Sequence, residues 1–232
     1  MGNLAVIESI LRDRRRFFGE IREGIDLPGK IRAMLISSLI SLAVYGAVLG
    51  SSASFWQALS SAVKLPLLFL STLLICAPTL YFFNVLFGSS QSLRQTVALM
   101  LTVIAVTSVL LLSFCPIVIF FLLTTAGYQF FKLLNVGIFA ICGAVGVLFL
   151  SQGLEIVGER DADVAGAGRG RGCVTWLWVI LYAFVGSQMA WTLRPFIGAP
   201  AMPFELFRHL GGNFYSDILA SLGEVFGTHR VY

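Results

Sequence analysis

"TVALMLTVIAVTSVLLLSFCPIVIFFLLTTAGYQFFKLLNVGIFAICGAVGVLFLSQGLEIV" fills residues 96–157 and holds two charged side chains, Lys132 and Glu155. A helix needs about 20 apolar residues to cross a bilayer. The stretch is therefore read as two tilted passes, 96–123 and 131–157, joined through "TTAGYQFFK" (124–132). The alternative is three shorter passes, with "SFCP" (113–116) as an extra break. In the two-pass reading Pro116 kinks the first helix, and Gln129 and Lys132 mark a water interface.

The rest of the chain agrees. Of 232 residues, 57% are hydrophobic and 12% charged, where soluble domains carry about 25% charged residues. Mean hydropathy is +0.88. A domain of this size leaves too much surface exposed to hide so many apolar groups from water, so lipid must be part of the solvent.

Three further spans follow outward from the central stretch. Residues 64–88 form one, with Pro66 expected in its first turn and Pro78 kinking its interior. "SSASFWQALSSA" (51–62) is read as the polar connection before it. Residues 31–50 form another, carrying Gly46 and Gly50 in a GxxxG with Ala43 and Ala47 beside them. Small residues at that spacing let a second helix approach closely, which makes these four the candidate helix-packing residues. Residues 173–193 form the last, bracketed by Trp176, Trp178 and Trp191 as in an interfacial aromatic belt. The expected fold is an all-α polytopic transmembrane helix bundle with five spans, six being the alternative. It divides into an N-terminal segment 1–30, a bundle 31–193 and a tail 194–232.

Both ends read as amphipathic helices. Near the start, Leu4, Ile7, Leu11, Phe18, Ile21 and Ile25 recur at helical spacing against Arg12, Arg15, Arg16 and Arg22. Five acids (Glu8, Asp13, Glu20, Glu23, Asp26) balance the arginines there, so the segment is a weak electrostatic lipid anchor. It suits a membrane surface or a partner helix. Pro28 and Gly29 are read as the turn into the first span. This charged start has no layout of a cleavable signal. In the tail, Asn213 can cap a helix whose apolar face is Tyr215, Ile218, Leu219, Leu222 and Phe226, opposite Asp217, Ser221 and Glu224.

Basic residues set the expected orientation. In the five-span reading eleven lysines and arginines lie on the N-terminal side: seven up to Arg32, Arg94, and Arg160, Arg169 and Arg171 of the glycine-rich loop. Five lie opposite: Lys64, Lys132, Arg194, Arg208 and Arg230. The excess places the N-terminus in the cytoplasm of a cell whose inner or plasma membrane holds the chain. No nucleic-acid role follows from the net charge of +4.

Catalysis needs convergent ionisable groups, and the middles of the spans carry essentially none. The four cysteines, Cys76, Cys115, Cys142 and Cys173, are far apart and read as packing residues. "GERDADVAGAGRGRG" (158–172) has no phosphate-loop spacing and reads as a linker. Glu205 and His209 share a helical face only if 204–210 is helical, and no second pair completes a metal site. A serine-hydrolase elbow is missing. No catalytic, metal or cofactor residue is therefore expected.

"WTLRPFIGAPAMPFELFRHLGGNFY" (191–215) is the most distinctive segment. Trp191 and Arg194 mark the exit of the last span. Pro195, Pro200 and Pro203 turn the chain along the surface, and Phe196, Phe204, Phe207, Arg208, Phe214 and Tyr215 complete a candidate partner-binding elbow. Over residues 173–220 this proline-aromatic pattern resembles a group of uncharacterised bacterial inner-membrane proteins with several spans. Span number and N-terminal side are also similar to Yip1-type membrane proteins, although the DLYGP-type element before the first span is missing. These resemblances imply a bacterial membrane protein tied to membrane organisation or complex assembly, and they bring no catalytic residue. The leading functional expectation is a non-enzymatic membrane subunit or scaffold, with lipids, other membrane subunits or further copies of itself as partners. The alternatives are an oligomeric channel or transporter component, and then a lipid-acting enzyme.

Overall fold

A computed structural model describes residues 3–86, 91–124, 127–158, 168–198, 206 and 212–225. Among them are eight helices and no strand: α1 (Asn3–Arg12), α2 (Arg14–Glu23), α3 (Leu27–Gly50), α4 (Phe55–Leu86), α5 (Leu93–Thr124), α6 (Tyr128–Gly158), α7 (Gly168–Leu193) and α8 (Phe214–Val225). Helices α3 to α7 are long and apolar enough to cross a membrane. The chain is thus an all-α bundle of the multi-pass membrane class.

The central stretch forms two helices, α5 and α6. Pro116 lies within α5 and does not end it, so the three-pass alternative falls. The start of α5 is a capping box: the Gln95 amide donates to Ser92 Oγ at 3.3 Å, and the Ser92 amide donates to Gln95 Oε1 at 2.8 Å.

Three boundaries differ from the sequence reading. Helix α4 begins at Phe55, so the connection after α3 is only 51–54 and Pro66 lies in the helix interior. The polar residues at 57 and 61 suggested a loop because they are not lipid-soluble, yet both face protein and are buried. Helix α7 already includes Gly168–Gly172, which cuts the expected linker short. Pro28 sits at the first turn of α3 and initiates it. The chain reverses earlier, at Gly24, whose φ of +76° lets it cap α2.

The N-terminal segment is two helices, not one. Asp13 separates them and caps α2, accepting the Arg16 amide at 3.2 Å. The break resets the helical phase. Val6, Ile10, Phe17, Phe18 and Ile21 are buried, while Leu11 and Ile25, expected on the apolar face, are about half exposed. This face packs into the chain's own bundle together with residues of α3, α5 and α6. Gln95 of α5 donates to the Ile21 and Arg22 carbonyls at 3.2 and 2.9 Å. Lys30, only 2% exposed, meets Glu20 at 2.8 Å and donates to the Ile25 carbonyl at 3.0 Å. Its hydrogen bond, outweighing the desolvation of the carboxylate, holds the Glu20 carboxyl below the usual carboxylate range.

Helix α3 packs against both α4 and α5; α5 also packs on α6, and α4 on α7. The α3–α4 contact is close because Gly46 abuts the Ser61 carbonyl and Gly50 the Gln57 carbonyl, leaving no room for a Cβ at either. Ala43 and Ala47 are half-buried on the same helix. A buried bond from Tyr45 Oη to Asn135 Oδ1, 2.9 Å, ties α3 to α6. It satisfies two polar groups that would be costly unpaired.

Candidate functional site

Helix α7 reaches the bundle through α4, and it is not among the helices closely packed on α6. Between them lies a cavity of about 720 Å³. Its deep walls are mainly apolar and come from the five long helices, including Leu49 of α3, Leu68 and Phe69 of α4, Val103 of α5, Phe139 of α6, and Trp178 and Tyr182 of α7, with Thr72 and Thr107 among them. On α6 the lining is a stripe of small residues, Ala140, Gly143 and Ala144. A Cβ built on Gly143 meets nothing within 4 Å. The indole of Trp178 is fixed by donating to the Cys76 carbonyl at 3.2 Å and by the Tyr182 ring at 5.2 Å between centroids.

Polar groups gather at the end nearest α8. Lys132 of α6 pairs with Asp217 of α8 at 2.9 Å and lies 5.9 Å from the Tyr128 ring centroid. The Arg194 guanidinium stacks over Trp191 at 3.5 Å. Ser187 Oγ and Tyr215 Oη are 3.0 Å apart, and Gln129 donates to Glu224 at 2.9 Å. Helix α8 thereby bridges α6 and α7 across the mouth. Asn213 caps it, accepting the Ser216 amide at 2.8 Å.

The orientation of α8 differs from the expected one. Asp217 and Ser221, expected on the outer side, turn toward α6, whereas Leu219 is 69% exposed and Leu222 also points outward; of the expected apolar face, Tyr215 and Ile218 line the cavity. The ion pair with Lys132 holds this face on α6, and a leucine facing lipid loses little by staying outside, because lipid tails are as apolar as the core.

The described part of the elbow is held by the chain's own α4. Gln57 Nε2 donates to the Pro195 carbonyl at 2.7 Å, Ser61 Oγ to the Phe196 carbonyl at 2.7 Å, and Lys64 Nζ to the Leu206 carbonyl. Of the expected elbow residues, Trp191, Arg194, Pro195 and Phe196 line the cavity mouth, and Phe214 and Tyr215 close it from α8. Pro200, Pro203, Phe204, Phe207 and Arg208 lie outside the described residues, as do Glu205, His209, His229 and Phe226. Ala43, Gly46, Ala47 and Gly50 belong to α3, away from this cavity. Among the described residues no three of His, Cys, Asp and Glu come together as metal ligands.

Sequence reasoning did not single out the polar row Gln57, Ser61 and Lys64. Its spacing of four and three residues, one face of a helix, is the signal that could have found it. Asp217 and Lys132 were read separately, with nothing to pair them.

The chain matches no family model, no curated protein and no solved structure. Its functional reading therefore rests on this cavity and on the residues around it.

Proposed function

We propose that the chain is a non-enzymatic integral membrane protein that holds a bilayer-resident apolar molecule in the groove between α6 and α7. The single observation carrying this reading is a groove of about 720 Å³ with apolar walls, within the range of roughly 300–1,000 Å³ typical of ligand sites. It lies between two membrane-spanning helices, so lipid can reach it sideways. Among the described residues the deep walls give a reacting bond no convergent acid, base or nucleophile, which favours binding over catalysis. Apolar walls also offer an ion little to replace its water, which disfavours the channel reading.

Support for a scaffold is weaker than the sequence suggested. The described part of the elbow and the α1–α2 face, read as free for partners, make contacts within the chain. A role as a subunit stays compatible with the groove if the bound molecule is shared with a neighbour.

The test uses the four tryptophans. Trp56→Phe, Trp176→Phe and Trp191→Phe leave Trp178, which lines the groove and is only 2% exposed. In vesicles of phosphatidylcholine brominated on its chains, a molecule in the groove quenches Trp178. Gly143→Phe, which fills the groove, should remove that quenching while leaving the thermal melt in place. Gly186→Leu serves as a second plug, because the nearest atom to its Cβ lies at 3.9 Å. An unquenched Trp178, or quenching that survives both plugs, overturns the proposal.

A further inference from the structure

We infer that the occupant of the groove is a lipid with a carbonyl oxygen on an unsaturated ring, a membrane quinone by class, held where Tyr182 lines the cavity; this rests on the proposed function. Tyr182 of α7 is a groove residue, and its ring lies 5.2 Å from that of Trp178. Among the described residues its hydroxyl makes no hydrogen bond. The other hydroxyls of the deep walls are satisfied. Thr72 Oγ1 donates to the Leu68 carbonyl at 2.8 Å, and Thr107 Oγ1 to the Cys142 carbonyl at 3.4 Å. A threonine can reach the carbonyl four residues back along its own helix. A tyrosine ring carries its oxygen away from its own backbone, so Tyr182 needs an acceptor from whatever stands opposite.

Depth makes that need acute. Along α7, Tyr182 lies about 9 Å from Trp176 and about 14 Å from Trp191. Membrane tyrosines ordinarily sit at the headgroup level, where water or lipid oxygens take the hydroxyl. This one stands at hydrocarbon depth, where an unpaired hydroxyl is costly. Helix α4 is already fixed on both sides of it. Trp178 donates to the Cys76 carbonyl at 3.2 Å, and a Cβ on Gly186 would come within 3.9 Å of Thr72. Those contacts lie one turn before and one turn after Tyr182, and the groove is what remains open to the phenol.

The surrounding walls narrow the acceptor. Phe69 and Phe139 stack with centroids 6.4 Å apart and planes 27° from parallel. With Trp178 and Tyr182 they give the deep groove four aromatic rings from three helices. Aromatic pairs gain more than their buried area alone supplies, which favours a flat unsaturated ring over a saturated chain. A ring carbonyl accepts the Tyr182 proton and brings no donor of its own to be satisfied. The ester carbonyls of a glycerolipid lie outside the hydrocarbon core, at the headgroup boundary, and leave Tyr182 unpaired.

The probe is decylbenzoquinone in phosphatidylcholine vesicles that hold the Trp178-only protein. Quinones quench indole fluorescence on contact, so the mole fraction giving half-maximal quenching reads the affinity. Quenching should saturate, and Gly143→Phe or Gly186→Leu should leave only the linear part that comes from collisions in the bilayer. Tyr182→Phe keeps the ring and removes the donor. It should raise the half-saturating fraction about fivefold, the worth of one hydrogen bond, with the thermal melt unchanged. Decyl-p-xylene keeps ring and tail but lacks the acceptors, and should displace the quinone about fivefold less well than unlabelled quinone dilutes it. Linear quinone quenching that both plugs leave unchanged, beside brominated-lipid quenching that they remove, overturns the quinone assignment and leaves the groove reading standing. If the plugs remove neither, both fall. Saturable quenching indifferent to Tyr182→Phe overturns the hydrogen bond, and equal displacement by decyl-p-xylene overturns the carbonyl.

Discussion

Both ends of the chain carry amphipathic helices, and they turn them in opposite directions. The α1–α2 pair sends Val6, Ile10, Phe17, Phe18 and Ile21 into the bundle and leaves Arg12, Arg14, Arg15 and Arg16 exposed. Helix α8 sends Asp217 and Ser221 inward and leaves Leu219 and Leu222 outside. The difference teaches which face each end presents outward. A helix in water buries its apolar stripe, which is the α1–α2 arrangement. A helix that pairs its charges with the bundle and shows leucine outward is arranged for contact with lipid. The α1–α2 pair caps the bundle with its arginines outward, and α8 clasps it with leucine outward.

The comparison can be broken at either end. The largest effect belongs to Phe17→Ala. Removing this ring from the cap's core should cost about 3–5 kcal/mol, read by denaturation in detergent, and should open the arginines of α2 to trypsin. A Phe17→Ala protein of unchanged stability would mean that the cap is only loosely docked. Acid should come next. The folded-state pKa of Glu20 is lowered by Lys30, so its contribution is complete above the ordinary carboxylate pKa of 4.5. It is lost as pH falls through the lower folded value. Titration from pH 7 to below 4 should therefore loosen the α1–α2 end, seen as faster amide exchange there, and Glu20→Gln should remove that pH dependence.

Smaller effects belong to the other end. Asp217→Asn removes a partly exposed pair, worth about 0.2–1 kcal/mol. It should detach α8 from α6 without changing the melt of the spans; a spin-label distance from α8 to α6 that did not widen would count against the clasp. Leu219→Ala should be the smallest, within about 0.5 kcal/mol of the parent, since its side chain makes little contact with the bundle. A destabilisation as large as that of Phe17→Ala would mean that the two ends bury their faces alike.

Much of the fold was legible because lipid imposes length and composition on each span. The run 96–157 admitted few solutions, and its single break falls between Thr124 and Tyr128, beside Gly127. Phase was harder to read. Asp13 is an ordinary polar residue in an apolar-periodic segment, and only its cap geometry reveals that the helix restarts. The start of α4 was misplaced because Gln57 and Ser61 look like loop residues until carbonyls appear opposite them. The groove was the least legible feature. Ala140, Gly143 and Ala144 give the pattern of a packing seam, and nothing in that pattern says that α7 stands off from it. Gly46 and Gly50 carry the same kind of pattern and are filled by α4. Trp191, Arg194, Pro195 and Phe196 were singled out for their chemistry, and the structure brings them to the mouth of the chain's own cavity.

Gln57 and Ser61 bear on the order in which the molecule is made. Their side chains reach the carbonyls of Pro195 and Phe196, residues synthesised well over a hundred positions later. Until the fifth span has emerged from the ribosome, the second span presents two polar groups that hydrocarbon cannot satisfy. The start of the second span therefore completes these hydrogen bonds only when the end of the fifth span has been made.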